Sequence, residues 1–191
     1  MMKFSHIVIV FITFFASAGM AVSQTSSGTQ EYGDGGAYEG EFLNGLPHGN
    51  GTYELPNGYR YVGEWFEGEI NGQGEALFPN GSVYIGSFVK GKPEGSGKIT
   101  FTDGGTYEGE WANGSITGEG YAKYANGTTY QGTFLDAMHD GKGIMKSPDG
   151  YIYDGTWENG VKQGKATVTY PDGSIYTCLL YTSPSPRDKR Q

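Results

Sequence analysis

The sequence predicts an all-β fold, an elongated single-layer antiparallel sheet built from tandem 23-residue β-hairpins. Three observations carry this expectation. Glycine supplies 34 of the 191 residues, more than double the roughly 7% of average proteins. Aromatic residues make up 15% of the chain, and high glycine with high aromatic content favours short strands and tight turns over helices. Both excesses are periodic: Tyr38, Tyr61, Tyr84, Tyr107, Tyr130 and Tyr153 stand 23 residues apart. Such a repeat takes precedence over any local reading. It excludes helical bundles, coiled coils and doubly wound α/β enzymes.

The elements follow in chain order. Residues 1–23 read as a secretory signal peptide: Lys3, then the apolar run Ile7 to Ala18, then small residues before Ser23. That layout precedes cleavage; an uncleaved membrane anchor is the alternative, although the run is short of the roughly 20 residues that span a bilayer. No cysteine lies there to carry a lipid, and Cys178 is the only cysteine of the chain, so no intramolecular disulfide or cysteine-rich zinc site exists. Residues 24–37 are expected as a linker with a partial repeat, Tyr32 to Gly35 fitting the end of a unit.

Residues 38–175 hold six full repeats. Two residues after each tyrosine stands a glycine, from Gly40 to Gly155, and four after it Phe42, Trp65, Phe88, Trp111, Phe134 and Trp157. Five such columns hold 28 of the 34 glycines; Ala137 and Ala166 are the departures. Tyr61 to Trp65 alternates at strand period. The segment around Gly74 to Phe78 is a second strand, and Pro79-Asn80-Gly81-Ser82 a turn of the Asn-Gly kind used in tight hairpins. Tyrosine and Trp or Phe share one face, the glycine between leaving room for the rings, with Ala76, Ile99, Met145 and Val168 completing the layer. One hairpin cannot fold alone. Stacked neighbours make a continuous spine, in a twisted sheet roughly 60 Å long at about 4.8 Å per strand.

The segments Tyr38-Glu-Gly-Glu-Phe42…Gly45…His48-Gly49-Asn-Gly51, Tyr61-Val-Gly-Glu-Trp65 and Tyr107-Glu-Gly-Glu-Trp111 resemble the MORN (membrane occupation and recognition nexus) repeat over residues 38–175. The resemblance implies an elongated sheet of hairpins and non-catalytic roles: scaffolding, self-association, and association with membranes or protein partners. Beyond it, residues 176–191 read as a truncated seventh repeat and an artefactual tail, because Cys178 and Leu180 stand where glycine and an aromatic are due; a genuine disordered tail is the alternative.

Charge narrows the partners. The chain carries −8 overall. Residues 24–177 carry −11, from 9 basic and 20 acidic side chains. Anionic lipid and nucleic acid both need clustered Lys and Arg, so nucleic acid is not expected and a membrane is disfavoured. The pairs Glu39/Glu41 and Glu108/Glu110 match a glycosidase's two carboxylates or calcium ligands, but equivalent positions hold Val62, Ile85 and Gln131, which marks a solvated face. His48 and His139 are read as loop residues four repeats apart, unable to share a metal. Gly95 to Ile99 lacks the phosphate-loop pattern. Asn50, Asn80, Asn113 and Asn126 open glycosylation sequons that double as turn chemistry.

The sequence therefore predicts an exported, non-catalytic scaffold, secreted or periplasmic, that needs no cofactor and binds a protein partner or itself. The alternatives are a membrane-peripheral module, the regulatory part of an enzyme whose catalytic domain lies past a truncation, and glycan binding by the aromatic ladder. The candidate interaction or repeat-packing residues are Tyr38, Phe42, Tyr61, Trp65, Tyr84, Phe88, Tyr107, Trp111, Tyr130, Phe134, Tyr153 and Trp157. Exposed rings would be partner anchors and buried ones would hold the repeats together.

Overall fold

In the computed structural model, which describes residues 24–180, the chain runs back and forth as one 14-stranded antiparallel sheet in sequence order. The strands are β1 Thr25–Glu31, β2 Ala37–Leu43, β3 Leu46–Glu54, β4 Arg60–Phe66, β5 Glu69–Leu77, β6 Val83–Val89 and β7 Lys92–Thr100. They continue as β8 Thr106–Ala112, β9 Ser115–Lys123, β10 Thr129–Leu135, β11 Met138–Lys146, β12 Ile152–Glu158, β13 Val161–Thr169 and β14 Ile175–Leu180. Each repeat is a seven-residue strand carrying the tyrosine and a nine-residue return strand. The unequal lengths are reconciled by a bulge just past the central glycine, as between Gly63 and Trp65.

The expected signal peptide and most of the expected tail, residues 1–23 and 181–191, lie outside the described residues. The stretch expected as linker and partial repeat contributes a full strand, β1, whose Gly28 pairs with Gly40. The strand reading also extends past Tyr176: β14 pairs with β13 up to Gly164 and Leu180. Sheet pairing needs backbone groups rather than particular side chains, so Cys178 is accommodated, its thiol 3.7 Å from the Ala166 carbonyl.

Two turn types alternate, and the assignment from sequence needs correction. The tight hairpin turn is not the Pro-Asn-Gly segment but the pair before each return strand: Asn44-Gly45, Glu67-Gly68, Lys90-Gly91, Asn113-Gly114, Asp136-Ala137 and Asn159-Gly160. Both residues of each pair have positive φ, as a type I′ turn requires. Pro79-Asn80-Gly81 instead joins successive hairpins. There only the glycine has positive φ, the Asn80 side chain accepts the Ser82 amide at 2.9 Å, and Phe78 N–H donates to the Ser82 carbonyl at 2.8 Å. The return strand accordingly starts earlier than expected, at Glu69, and Phe78 belongs to the turn.

Candidate functional site

The twelve singled-out aromatics all lie on one face, in one unbroken ladder. Within a repeat, Tyr84 meets Phe88 edge to face at 5.1 Å; between repeats, Tyr84 meets Trp111 at 4.9 Å. The same alternation runs from Phe42 and Tyr38 to Trp157 and Tyr153. Such T-shaped pairs each contribute about 0.5–1.5 kcal/mol beyond burial. The six tyrosines are at most 2% exposed and the tryptophans at most 7%; Phe42, beside the first full repeat's outer edge, is half-buried. Ala76, Ile99, Ala122 and Val168 complete the layer, with Met145 half-buried against it.

Glycine makes the ladder possible through close approach. A Cβ on Gly97 would stand 2.1 Å from the Tyr84 hydroxyl and 2.4 Å from Cζ, so the ring lies directly on the return-strand backbone. Each tyrosine hydroxyl then donates to the carbonyl three residues on, from Tyr38 to Glu41 at 2.7 Å through Tyr153 to Thr156 at 2.9 Å. These carbonyls sit at the bulges, where the ladder is interrupted and an acceptor needs a partner. Burial, aided by the Glu94 carboxylate, pushes the Tyr84 hydroxyl up to about 12. Burial likewise lifts Tyr107 to about 12, against a hydrogen bond to the Glu110 carbonyl that lowers it. The phenols are neutral donors that fasten the bulges.

Two groups belong to this structure in ways the sequence reading missed. Glu41 is not a free member of a carboxylate pair: it accepts the bulge amide of Asn50 at 3.1 Å, as Glu64 accepts that of Gln73 at 2.7 Å one repeat later. His139 is not in a loop. It lies in β11 on the aromatic face, stacked on Tyr130 at 3.7 Å, with its Nε2 2.6 Å from the Tyr124 hydroxyl. Burial lowers its pKa to about 4. His48 is also in a strand, β3, four repeats away. Among the described residues no group of His, Cys, Asp and Glu could hold a metal ion, and no helix is long and apolar enough to cross a membrane.

With the aromatics consumed between repeats, exposed apolar side chains remain on the opposite face. Ile85 is 55% exposed and Tyr121 45%, with Val62 close behind. An open groove of about 850 Å³ lies over Ile85 and Tyr121, lined also by Gln73, Lys98, Glu108, Glu119 and Gln131. This face, read from sequence only as solvated, offers a ligand an open surface with two apolar side chains, Ile85 and Tyr121, among polar ones.

Comparison with known proteins agrees with this architecture. The MORN repeat family model matches at residues 38–58, 61–83, 84–106, 107–129, 130–150 and 153–175. No curated protein matches the chain. Among solved structures, the chain is similar to the TCP domain of Drosophila melanogaster SAS-4 (dCPAP), solved in complex with a proline-rich motif of Ana2 (dSTIL). Identity is 11% and the TM-score 0.50, over 90% of this chain and 99% of that one. A second match is the TCP10 domain of Danio rerio CPAP in complex with a peptide of STIL, at 18% identity and TM-score 0.23, over 81% of this chain and 84% of that one. Six matched repeats, each with its buried tyrosine, central glycine and bulge, occupy most of the sequence: the chain belongs to the MORN repeat family.

Proposed function

We propose that this chain is an exported, non-catalytic repeat scaffold that binds a protein segment on the face opposite the aromatic ladder. One observation carries the reading: the ladder uses up the large rings as packing, while Ile85 and Tyr121 stand exposed in a groove on the other face, with Val62 exposed beside it. Apolar side chains set in a polar surround are the anchor pattern of an interface. The SAS-4 domain of similar fold is solved with a proline-rich motif bound, which makes a peptide ligand the natural first class to test. The acidic balance of residues 24–177 supports a protein partner over an anionic membrane.

Selection of displayed random peptides against the chain tests the binding. Enriched clones are expected to lose binding to Ile85→Asp and to Tyr121→Ala while circular dichroism stays unchanged. Enrichment that ignores both substitutions refutes this face as the site. Export is tested separately, by N-terminal sequencing of secreted product: a mature end near Gln24 is expected, and a retained Met1 refutes cleavage.

A further inference from the structure

The geometry points to a particular occupant for this groove: a proline-rich segment in polyproline II conformation, carrying basic residues, lying across the strands along the repeat axis. The inference deepens the protein-binding reading above and rests on it.

The floor is set by register. Ile85, Lys98, Glu108 and Tyr121 are successive cross-strand partners on β6 to β9, so they form a row perpendicular to the strands. The row extends through Glu75 to Val62 on one side and through Gln131 to Ile144 on the other. Val62 and Ile85 lie one repeat apart, as do Tyr121 and Ile144. Two strand spacings of about 4.8 Å make one repeat roughly 9.6 Å. Polyproline II advances about 3.1 Å per residue with three residues per turn, a pitch of roughly 9.3 Å. One turn of such a ligand therefore matches one repeat, and every third side chain meets an equivalent position. The sheet's twist turns the face as it advances, so the match is required only within each pair of apolar footholds.

Backbone chemistry favours the same occupant. The amides and carbonyls of β6 to β9 are engaged by neighbouring strands, so the floor offers no ladder to a β-strand ligand. Polyproline II needs none, since its backbone has no internal bonds and stays solvated in an open groove. It is also pre-ordered, which lowers the entropic cost of docking, and proline rings pack on aromatic faces such as that of Tyr121.

Charge selects the rest. Glu75 and Glu108 lie in the row and Glu119 lines the groove, against a single floor cation, Lys98, held 3.8 Å from Glu108. The field favours arginine or lysine between the prolines.

The test is fluorescence anisotropy of the full chain with a labelled peptide of four Pro-Pro-Arg triplets, roughly 37 Å long. The row from Val62 to Ile144 spans seven strand spacings, roughly 34 Å. Saturable binding is expected, weakened about tenfold by Tyr121→Ala and by Ile85→Asp and unchanged by Phe101→Ala, a half-exposed ring lining a cavity with Tyr107 and Phe134 of the ladder. Equal binding of a Gly-Ser-Arg peptide of the same length and charge overturns the polyproline reading, as does Pro-Pro-Arg binding indifferent to both groove substitutions. Selected peptides that depend on Ile85 while Pro-Pro-Arg fails show a different occupant and leave the scaffold standing. A dimer seen by sedimentation and dissolved by Ile85→Asp assigns the face to a second copy and overturns the proposal.

Discussion

Replacing Ala137 by glycine is expected to stabilise the sheet. All six tight turns have a first residue at φ between 48° and 52°, and in five of them the second is glycine at 75° to 86°. In the fifth repeat the second residue is Ala137, at φ 62°. An L-residue held in the left-handed region costs about 1–2 kcal/mol. Glycine sits there freely, but loses about 0.4–1 kcal/mol more chain entropy on folding. The balance favours glycine by about 0.5–1 kcal/mol, or about 2–4 °C in Tm per kcal/mol for a chain of this size. Gly114→Ala is the mirror experiment. Its added Cβ would meet nothing closer than Lys92 Cβ and Pro93 Cδ, both at 3.9 Å, so only backbone conformation distinguishes the variants. Urea melts followed by circular dichroism and tryptophan emission read both, with Trp111 and Trp157 on either side of the Ala137 turn. Opposite shifts of the midpoint, up for Ala137→Gly and down for Gly114→Ala, are expected. A fall for Ala137→Gly, or shifts of the same sign, refutes the argument that φ governs these turns.

Three further outcomes are expected. Gly143→Ala places a Cβ 2.2 Å from the Tyr130 hydroxyl and 2.4 Å from Cζ; expelling the ring should cost about 3 kcal/mol or more, seen as a lower urea midpoint, and an unchanged midpoint contradicts the close approach. Trp111→Phe loses the indole bond to the Gly97 carbonyl at 3.2 Å, whereas the Trp65 indole N–H is buried without an acceptor. Trp65→Phe should therefore be milder by about 1 kcal/mol, and equal losses by urea titration count against this. Finally, stability should fall in acid through His139. Its folded pKa, about 4, lies below the unfolded 6.5, so the unfolded chain binds the proton first. The contribution is complete above pH 6.5 and is lost as pH falls towards 4, by about 1–2 kcal/mol after allowing for partial exposure. His139→Ile, the residue type of Ile116 one repeat earlier, retains the same carboxylates and isolates the imidazole. Parallel pH–Tm curves for the two proteins refute the assignment.

What was legible in the sequence was what repeats. Tyr84 and its equivalents face one environment six times, so one solution recurs and the spacing alone announces the spine. The return-strand glycines were legible as a column, but their reason was not: Gly97 is fixed by the ring of Tyr84, thirteen residues earlier and on the neighbouring strand. The turns were misassigned because Asn-Gly carries the same local signal at Asn80-Gly81 as at Asn113-Gly114, and only strand pairing separates a link between hairpins from a turn within one. His139 was misread because the apolar column it belongs to, Pro47, Ile70, Pro93 and Ile116, turns polar in the last two repeats, where His139 and Lys162 do not by themselves announce a position on the packed face. Lys162 fills it by laying its ammonium over Tyr153, 4.6 Å from the ring centre.

The groove was illegible for the opposite reason. The residue after each ladder tyrosine is Glu39, Val62, Ile85, Glu108, Gln131 and Asp154: one geometric position with six environments and no shared requirement. Packing cannot dictate this column, because its side chains point away from the ladder and meet only neighbours on an open face. Repetition in this fold therefore marks where stability constrains the chain, and variation marks where it does not. A ligand that reads one position per repeat meets a different side chain at each step. The irregular column can thus encode which partner binds and in which direction, while the regular columns hold the sheet that presents it. If that division is right, exchanging Ile85 and Glu108 should leave the urea midpoint within about 0.5 kcal/mol, as befits exposed positions, yet shift the register of the bound peptide. A large loss of stability on that exchange would mean the open face is part of the fold's support after all.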